Sequence, residues 1–150
     1  MKTRIARPAD TPPEIYEYWH RRWCEILTQN HRQAFVDAGL AGMSFTERVP
    51  DAPGGKGYFS YAFSRDGSVQ FMEGEGRAIA AYDSYELGLR MLSDATLDLA
   101  EPLADGRFRM LSRPGDWQTL MSLLPVLRNA CRQAIEDAER TFGVELPKYW

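Results

Sequence analysis

His20 and Cys24 are spaced one helical turn apart, and Glu17 is one turn before them. An imidazole, a thiolate and a carboxylate could together bind zinc, and a Cys/His pair could act in nucleophilic catalysis. No second cluster completes a zinc ligand set, because His31 would lie about 16 Å further along the helix axis at 1.5 Å per residue. We therefore expect no metal and no cofactor, with Cys24 a small buried hydrophobe beside the histidine.

Carboxylates beside predicted element boundaries are the candidates for general acid or base catalysis. Such carboxylates are more often helix caps or solvated charges, since catalysis also requires burial next to a substrate. Asp83 stands out because Tyr82 and Tyr85 are close to it in the sequence, which permits a polar and aromatic pocket. The complete set is Asp83, Glu86, Asp98, Glu101 and Asp116.

Length and composition predict one domain. The chain has 150 residues, 44% of them apolar, which is enough for one hydrophobic core but too little for two. The net charge of −3, with acidic and basic residues well mixed, argues against nucleic acid as a partner. Two cysteines without a metal-binding spacing indicate a reducing, cytoplasmic compartment, and no apolar run is long enough for stable membrane insertion.

The first half of the chain predicts a helix followed by a strand meander. Residues 1 to 13 read as a flexible lead-in with little that could pack, and residues 14 to 150 as a single domain. Apolar spacing predicts a helix over 14 to 40 that is capped by Thr11, with a break near Asn30 left open. Strands follow at 43 to 49, 58 to 64 and 68 to 73, and Asp66-Gly67 predicts a tight type I′ hairpin turn between the last two.

The second half is predicted to alternate strands with helices. Alternating apolar residues predict extended chain over 77 to 81 and again over 84 to 92. Ser93-Asp94 then opens a short helix that ends at Gly106, and a strand covers 107 to 111. A long helix follows from about 116 to 142, with a kink or break at Pro125.

Four segments have a recognisable pattern, the first being Gly57-Tyr58-Phe59-Ser60-Tyr61-Ala62-Phe63 with its Asp66-Gly67 hairpin. The others run from Tyr85 to Asp94, from Leu103 to Met110, and from Pro114-Gly115-Asp116 into the apolar helix. Together with the order of elements, these segments resemble the sterol carrier protein 2 (SCP2-like, sterol-binding) family, most clearly over residues 57 to 127. Between the short helix and the strand that begins at Gly106-Arg107, family members usually have a longer segment than the one available here, residues 100 to 105. The N-terminal part of the chain matches the family poorly.

The resemblance implies an α+β fold in which about five mainly antiparallel strands are covered by helices. It also implies an apolar tunnel between the sheet and the C-terminal helix, holding a sterol, fatty acid, acyl-CoA or similar ligand. The residues expected to form the tunnel wall are Phe59, Tyr61, Phe63, Met110, Trp117, Leu120, Met121, Leu124 and Leu127.

Three functions remain open from the sequence. The first is a non-catalytic lipid-binding or carrier domain whose partner is an apolar small molecule. The second is an isomerase-like or cyclase-like enzyme, similar to the ketosteroid isomerase group, that uses Asp83 with Tyr82 or Tyr85. The third is an accessory subunit that covers its apolar helix with a partner enzyme. Pairing of two chains through the helix bearing Trp19 and Trp23 also stays open.

Overall fold

The computed structural model describes residues 2–150, and its centre is a five-stranded sheet. The strands are β2 Ser44–Arg48, β3 Tyr58–Phe63, β4 Val69–Phe71, β5 Ala78–Tyr82 and β6 Phe108–Met110. Their order in the sheet is β4-β3-β2-β5-β6, with β2 and β5 parallel and the other neighbours antiparallel. This sheet and its helices confirm the predicted α+β fold class.

One face of the sheet carries large apolar side chains, and the other carries small or polar ones. Strand register places Phe45 opposite Tyr61 and Glu47 opposite Phe59, so all four share the inner face. On the outer face the hydroxyls of Thr46 and Ser60 form a buried hydrogen bond of 2.7 Å. The inner face is therefore the one that the helices must cover.

Two long helices provide most of that cover. They are α1, Pro13–Asp37, and α5, Leu124–Phe142, which pack against each other. The indole of Trp23 on α1 donates to the main-chain oxygen of Leu127 at 3.1 Å and packs edge-on against Tyr61. Nearer the surface, Arg22 on α1 forms an ion pair with Asp137 on α5 at 2.8 Å.

The predicted strand over 84 to 92 is wrong, because Tyr85–Ser93 forms the helix α2. The Ser84 hydroxyl caps it by accepting from the Leu87 amide at 3.2 Å, and the Asp51 carboxylate accepts from the Tyr85 amide at 2.6 Å. Alternating apolar residues misled the prediction because α2 is buried on most of its circumference, so its apolar residues fit either period.

The helix boundaries around Pro102 and Pro125 follow the sequence only in part. Ser93-Asp94 ends α2 instead of starting a helix, and α3 covers Ala100–Asp105 with Gly106 at φ +83° as its left-handed end. The predicted break at Pro125 is confirmed, since α4, Pro114–Met121, and α5 are separate helices. The α1 helix runs without a break at Asn30 and begins at Pro13, with no side-chain cap from Thr11.

The hairpin between β3 and β4 is confirmed, but its turn differs from the predicted type. The loop has three residues, 65–67, between the hydrogen-bonded Ser64 and Ser68, and only Gly67 has a positive φ, +84°, whereas a type I′ turn has two central residues that both need one. The Asp66 carboxylate accepts from the Ser68 amide at 3.0 Å. A Cβ on Gly67 would lie 2.2 Å from the main-chain oxygen of Arg32, so the hairpin packs directly on α1.

The N-terminal segment packs more than the sequence indicated. The β1 strand, Thr3–Arg4, pairs in parallel with β7, Val144–Glu145. A 3-10 turn at Pro8–Asp10 follows, and both Pro8 and Thr11 are buried. Pro8 and Thr11 thus pack against the domain, whereas most side chains of residues 2 to 10 are exposed. The flexibility of this lead-in stays a prediction, and Met1 lies outside the described residues.

Candidate functional site

Two adjoining cavities lie beside α1, the smaller between α1, α2 and the inner face of the sheet, and the larger between α1, the loop at residues 53–56 and strands β3 and β4. The smaller, which we call the inner cavity, has a volume of about 20 Å³. Such a volume holds about one water-sized group. Its lining residues come from five elements and the loop after β2: Tyr16, Trp19, His20, Glu47, Val49, Phe59, Tyr82, Tyr85, Gly88, Leu89 and Leu92.

The larger cavity, which we call the outer pocket, has a volume of about 230 Å³. It shares Tyr16, His20 and Phe59 with the inner cavity, so the two meet at these side chains. Exposed Glu17 and Lys56 lie on its rim. The remaining lining residues are mainly apolar or glycine: Pro13, Pro53, Gly54, Tyr58 and Phe71.

Glu47 places a carboxylate inside the inner cavity. It is only 5% exposed because the alternation of β2 puts it on the same face as Phe45. The hydroxyl of Tyr82 donates to its Oε1 at 2.7 Å, whereas its buried Oε2 has no hydrogen-bond partner within residues 2–150. Burial raises the pKa of Glu47 to about 6, and the hydroxyls of Tyr82 and Tyr61 act in the opposite direction.

His20 is a neutral neighbour of this carboxylate. Burial lowers the pKa of His20 to about 3, against the opposing effect of its hydrogen bond to Tyr16. Its Nδ1 lies 2.7 Å from the main-chain oxygen of Tyr16. Because a carbonyl oxygen can only accept, the proton lies on Nδ1, and Nε2 is the acceptor of the ring.

The tyrosines around the cavity supply neutral hydroxyls. Burial raises the pKa of Tyr16, Tyr82 and Tyr85 above the ordinary value, and the nearby Glu47 carboxylate adds to this for Tyr16 and Tyr82. The hydroxyl of Tyr85 accepts from the Trp19 indole at 3.2 Å. The cavity thus combines a carboxylate with hydroxyl donors, and its lining residues include no lysine or arginine.

The nine predicted wall residues are divided between this site and the packed interior. Phe59 lines both cavities, whereas the other eight line neither of them. Trp117 packs edge-on against Phe45 with ring centroids 5.0 Å apart, and its buried Nε1 has no partner in the described chain. Tyr61, Phe63, Leu120 and Leu127 are buried, while Met110, Met121 and Leu124 are half-buried. Their role in ligand binding stays a prediction.

The structure separates Asp83 from the tyrosines that the sequence grouped with it. Asp83 is exposed and lines a different hollow, next to Arg107. Tyr82 and Tyr85 do line one cavity, but the carboxylate that Tyr82 contacts is Glu47. The prediction that Asp83 is the carboxylate of the pocket is therefore wrong, whereas Tyr82 and Tyr85 do lie in one pocket.

Glu47 is the functional candidate that sequence reasoning missed. The pattern Met43, Phe45, Glu47, Val49 already placed it on the apolar face of its strand. A charged residue at an inward-facing position needs a partner or a function, because an unpaired buried charge is costly. The signal for Glu47 in the sequence is therefore an acidic residue at an inward-facing strand position.

Cysteine and metal chemistry find little support at His20. Cys24 and Cys131 are buried and unpaired, and burial raises the pKa of Cys24 to about 12, so the reactive thiolate is disfavoured. Within residues 2–150 no three His, Cys, Asp or Glu side chains are grouped as metal ligands. In the same part of the chain, no helix has the length and apolar character required to cross a bilayer.

Comparison with known proteins identifies the fold. No family model and no curated protein matches the sequence. Among solved structures, the "UbiJ-SCP2 Ubiquinone synthesis protein" is similar with a TM-score of 0.55 and 14% identity, covering 77% of this chain and 96% of that one. The sterol carrier protein domain 2 of Helicoverpa armigera is similar with a TM-score of 0.53 and 13% identity, covering 83% of this chain and 94% of that one. The chain therefore has an SCP2-like fold, as the resemblance predicted.

Proposed function

We propose that this chain is a lipid-binding or carrier domain that holds an apolar small molecule in the outer pocket. The observation that carries the proposal is an apolar hollow of about 230 Å³ that adjoins a buried polar cavity, in an SCP2-like fold. Ligand sites commonly combine apolar walls with a few convergent polar groups. The names of the two similar structures, one a sterol carrier domain and one a ubiquinone synthesis protein, agree with a lipid-like ligand.

The size of the outer pocket limits how much ligand it can enclose. If each methylene takes roughly 30 Å³, the share of one water in the liquid, the pocket holds about eight methylenes. Burying these at about 0.8 kcal/mol each gives about 6 kcal/mol before association costs. A medium-length acyl chain or part of a larger lipid is the ligand that fits, and the binding needs no cofactor.

A direct test is native mass spectrometry of the freshly purified protein, followed by solvent extraction of whatever is bound. We expect a mass increment that extraction removes and that corresponds to a lipid, sterol or acyl compound. The same spectrum reports whether the chain is a monomer or a homodimer. An unliganded protein that also takes up neither a fluorescent fatty acid nor a fluorescent fatty alcohol would contradict the proposal.

Two matched tryptophan substitutions locate the ligand. Phe71 lines the outer pocket and Leu124 belongs to the predicted wall, and both side chains are half-buried. We expect Phe71→Trp to reduce ligand uptake several-fold, because the larger ring enters the pocket, and Leu124→Trp to change it less than twofold. The reverse result in folded variants would place the ligand between the sheet and residues 116 to 142.

An enzyme is the second candidate, because a buried carboxylate whose pKa is raised to about 6 can accept a proton near neutral pH. In that function Glu47 is the base and the Tyr82 hydroxyl, hydrogen-bonded to it, orients it. Isomerisation of a small β,γ-unsaturated ketone, followed by the absorbance of the conjugated product, tests this. Activity that disappears in Glu47→Gln supports it, and no activity in the native protein contradicts it.

A further inference from the structure

We propose that the inner cavity selects ligands with a neutral hydroxyl end and rejects those with a carboxylate, with Glu47 Oε2 accepting the hydrogen bond from that hydroxyl. The inference rests on the proposed function and adds the chemical class of the ligand's polar end. A long-chain alcohol, a sterol or a phenol has such an end, whereas an ionised fatty acid does not.

The first step is the free acceptor. Glu47 Oε1 receives the hydroxyl of Tyr82 at 2.7 Å, whereas Oε2 is buried and has no hydrogen bond of normal geometry in the described chain, with the Tyr61 hydroxyl near enough only to lower the Glu47 pKa. A buried acceptor without a hydrogen bond is costly, so a group that donates to it gains that free energy on binding. A hydroxyl can donate to Oε2, whereas an ionised carboxylate has no hydrogen to donate.

The second step is the charge around the cavity. A bound carboxylate would face Glu47, a group of the same charge, and the lining residues offer no cation to balance it. His20 does not supply a cation, because burial lowers its pKa to about 3 and the ring is therefore neutral at pH 8. The hydroxyl of Tyr16 or Tyr85 can donate to the oxygen of a bound alcohol, which completes its hydrogen bonding.

The third step is size and direction. The inner cavity of about 20 Å³ takes one hydroxyl, while a carboxylate is larger. The rings of Tyr16, His20 and Phe59 separate the two spaces, with the His20 centroid 4.1 Å from that of Tyr16 and 4.2 Å from that of Phe59, so a chain attached to that hydroxyl enters the outer pocket when these rings move apart. The polar end is therefore innermost and the tail points toward the rim at Glu17 and Lys56.

The selection depends on pH through Glu47. Hydrogen bonds to an ionised acceptor are about twice as strong as those between neutral groups, so alcohol affinity rises as Glu47 ionises around pH 6. Burial displaces the pKa of the other titratable groups near it away from this range. They are Tyr16 and His20 on α1, Tyr61 on β3, Tyr82 on β5, Tyr85 on α2 and Cys131 on α5.

The experiment compares 1-octanol with octanoate by isothermal titration calorimetry on the full chain at pH 8. Both have eight carbons, close to the capacity of the outer pocket. We expect octanol to bind at least tenfold more tightly, about 1.4 kcal/mol. In Glu47→Gln that preference should fall below threefold, while the matched surface variant Glu101→Gln should keep it.

Octanol alone does not titrate and isolates the protein's own pH dependence. We expect octanol to bind several-fold more tightly at pH 8 than at pH 5 in the native chain, and equally at both in Glu47→Gln. Tyr82→Phe is a second variant, should Glu47→Gln not fold. Removing the hydrogen bond that lowers the Glu47 pKa should move the midpoint of octanol binding to higher pH.

The outcomes distinguish failure of this inference from failure of the proposed lipid-binding function. Octanol binding with the same preference in the native chain and in Glu47→Gln overturns the inference and leaves the lipid-binding function intact. If octanoate binds more tightly than octanol and loses affinity in Lys56→Gln, the head group lies at the rim of the outer pocket. That outcome also overturns the inference. Failure of the native chain to bind octanol, octanoate or any longer fatty alcohol contradicts the proposed function itself.

Discussion

The packing of the sheet against α4 and α5 differs from its packing against the first turns of α1 and α2. In the former region, Phe45 meets Trp117 edge-on at 5.0 Å and Leu127 accepts from Trp23, so apolar rings fill the space. In the latter region, similar aromatic side chains surround two cavities and a buried carboxylate. An aromatic, apolar sequence therefore does not distinguish a filled core from a binding site, whereas a buried carboxylate among the aromatic side chains does.

The largest expected effect concerns His20, in the cavity region. Its folded pKa of about 3 lies below the unfolded value of 6.5, so its stabilising contribution is complete above pH 6.5 and is lost as pH falls toward 3. The loss reaches about 5 kcal/mol in order of magnitude. Urea unfolding at several pH values should show a steeper loss on acidification in the native chain than in His20→Asn.

The matched control for this prediction is His31→Asn, which changes the other histidine, a half-buried one. Both variants remove one imidazole, so a difference between them reports the buried position of His20. If His20→Asn has the same pH dependence as His31→Asn, His20 is not held neutral by burial, and the contrast between the two regions loses its electrostatic part.

The next effect concerns the packed region. Leu127 is 1% exposed, so Leu127→Ala should lower the free energy of unfolding by about 2–5 kcal/mol through lost burial and a residual cavity. Leu111→Ala, at a side chain that is 45% exposed, should change it by less than about 0.5 kcal/mol. Chemical denaturation measures both, and octanol affinity in folded Leu127→Ala should stay within twofold of the native value. A larger loss of affinity would show that the packed region also contacts the ligand, and the two regions would then form one site.

The smallest effect is the cost of ionising Glu47. Because its pKa rises on folding from 4.5 to about 6, the native chain should lose about 2 kcal/mol of stability as pH rises through that interval. Glu47→Gln removes this dependence, so its stability relative to the native chain should increase over the same interval. A constant difference between the two from pH 4 to pH 8 would show that the carboxylate is solvated, contrary to the structure.

The sequence allowed much of the fold to be predicted because strand alternation and turn residues act locally. The aromatic face of β3, the hairpin at Gly67 and the break at Pro125 all follow from short segments. The α2 helix did not follow, because its capping acceptor Asp51 is distant in sequence and its buried residues fit a strand as well.

The site was less predictable than the fold. Tyr82 and Tyr85 were identified, but the carboxylate that completes their cavity lies on another strand, 35 residues before Tyr82. Whether space remains between packed side chains depends on how α1 and α2 meet the sheet. Such long-range packing leaves no periodic signal in a single sequence.

The most direct test of the proposed site is to map where a hydroxyl-ended ligand attaches. A medium-chain alcohol carrying a photoreactive diazirine in its tail would be bound to the full chain at pH 8, irradiated, and located by peptide mass spectrometry. We expect labels within residues 13–20, 53–59 and 71, with labelling reduced in Glu47→Gln. Labels confined to residues 110–127, at equal yield in both proteins, would contradict the account.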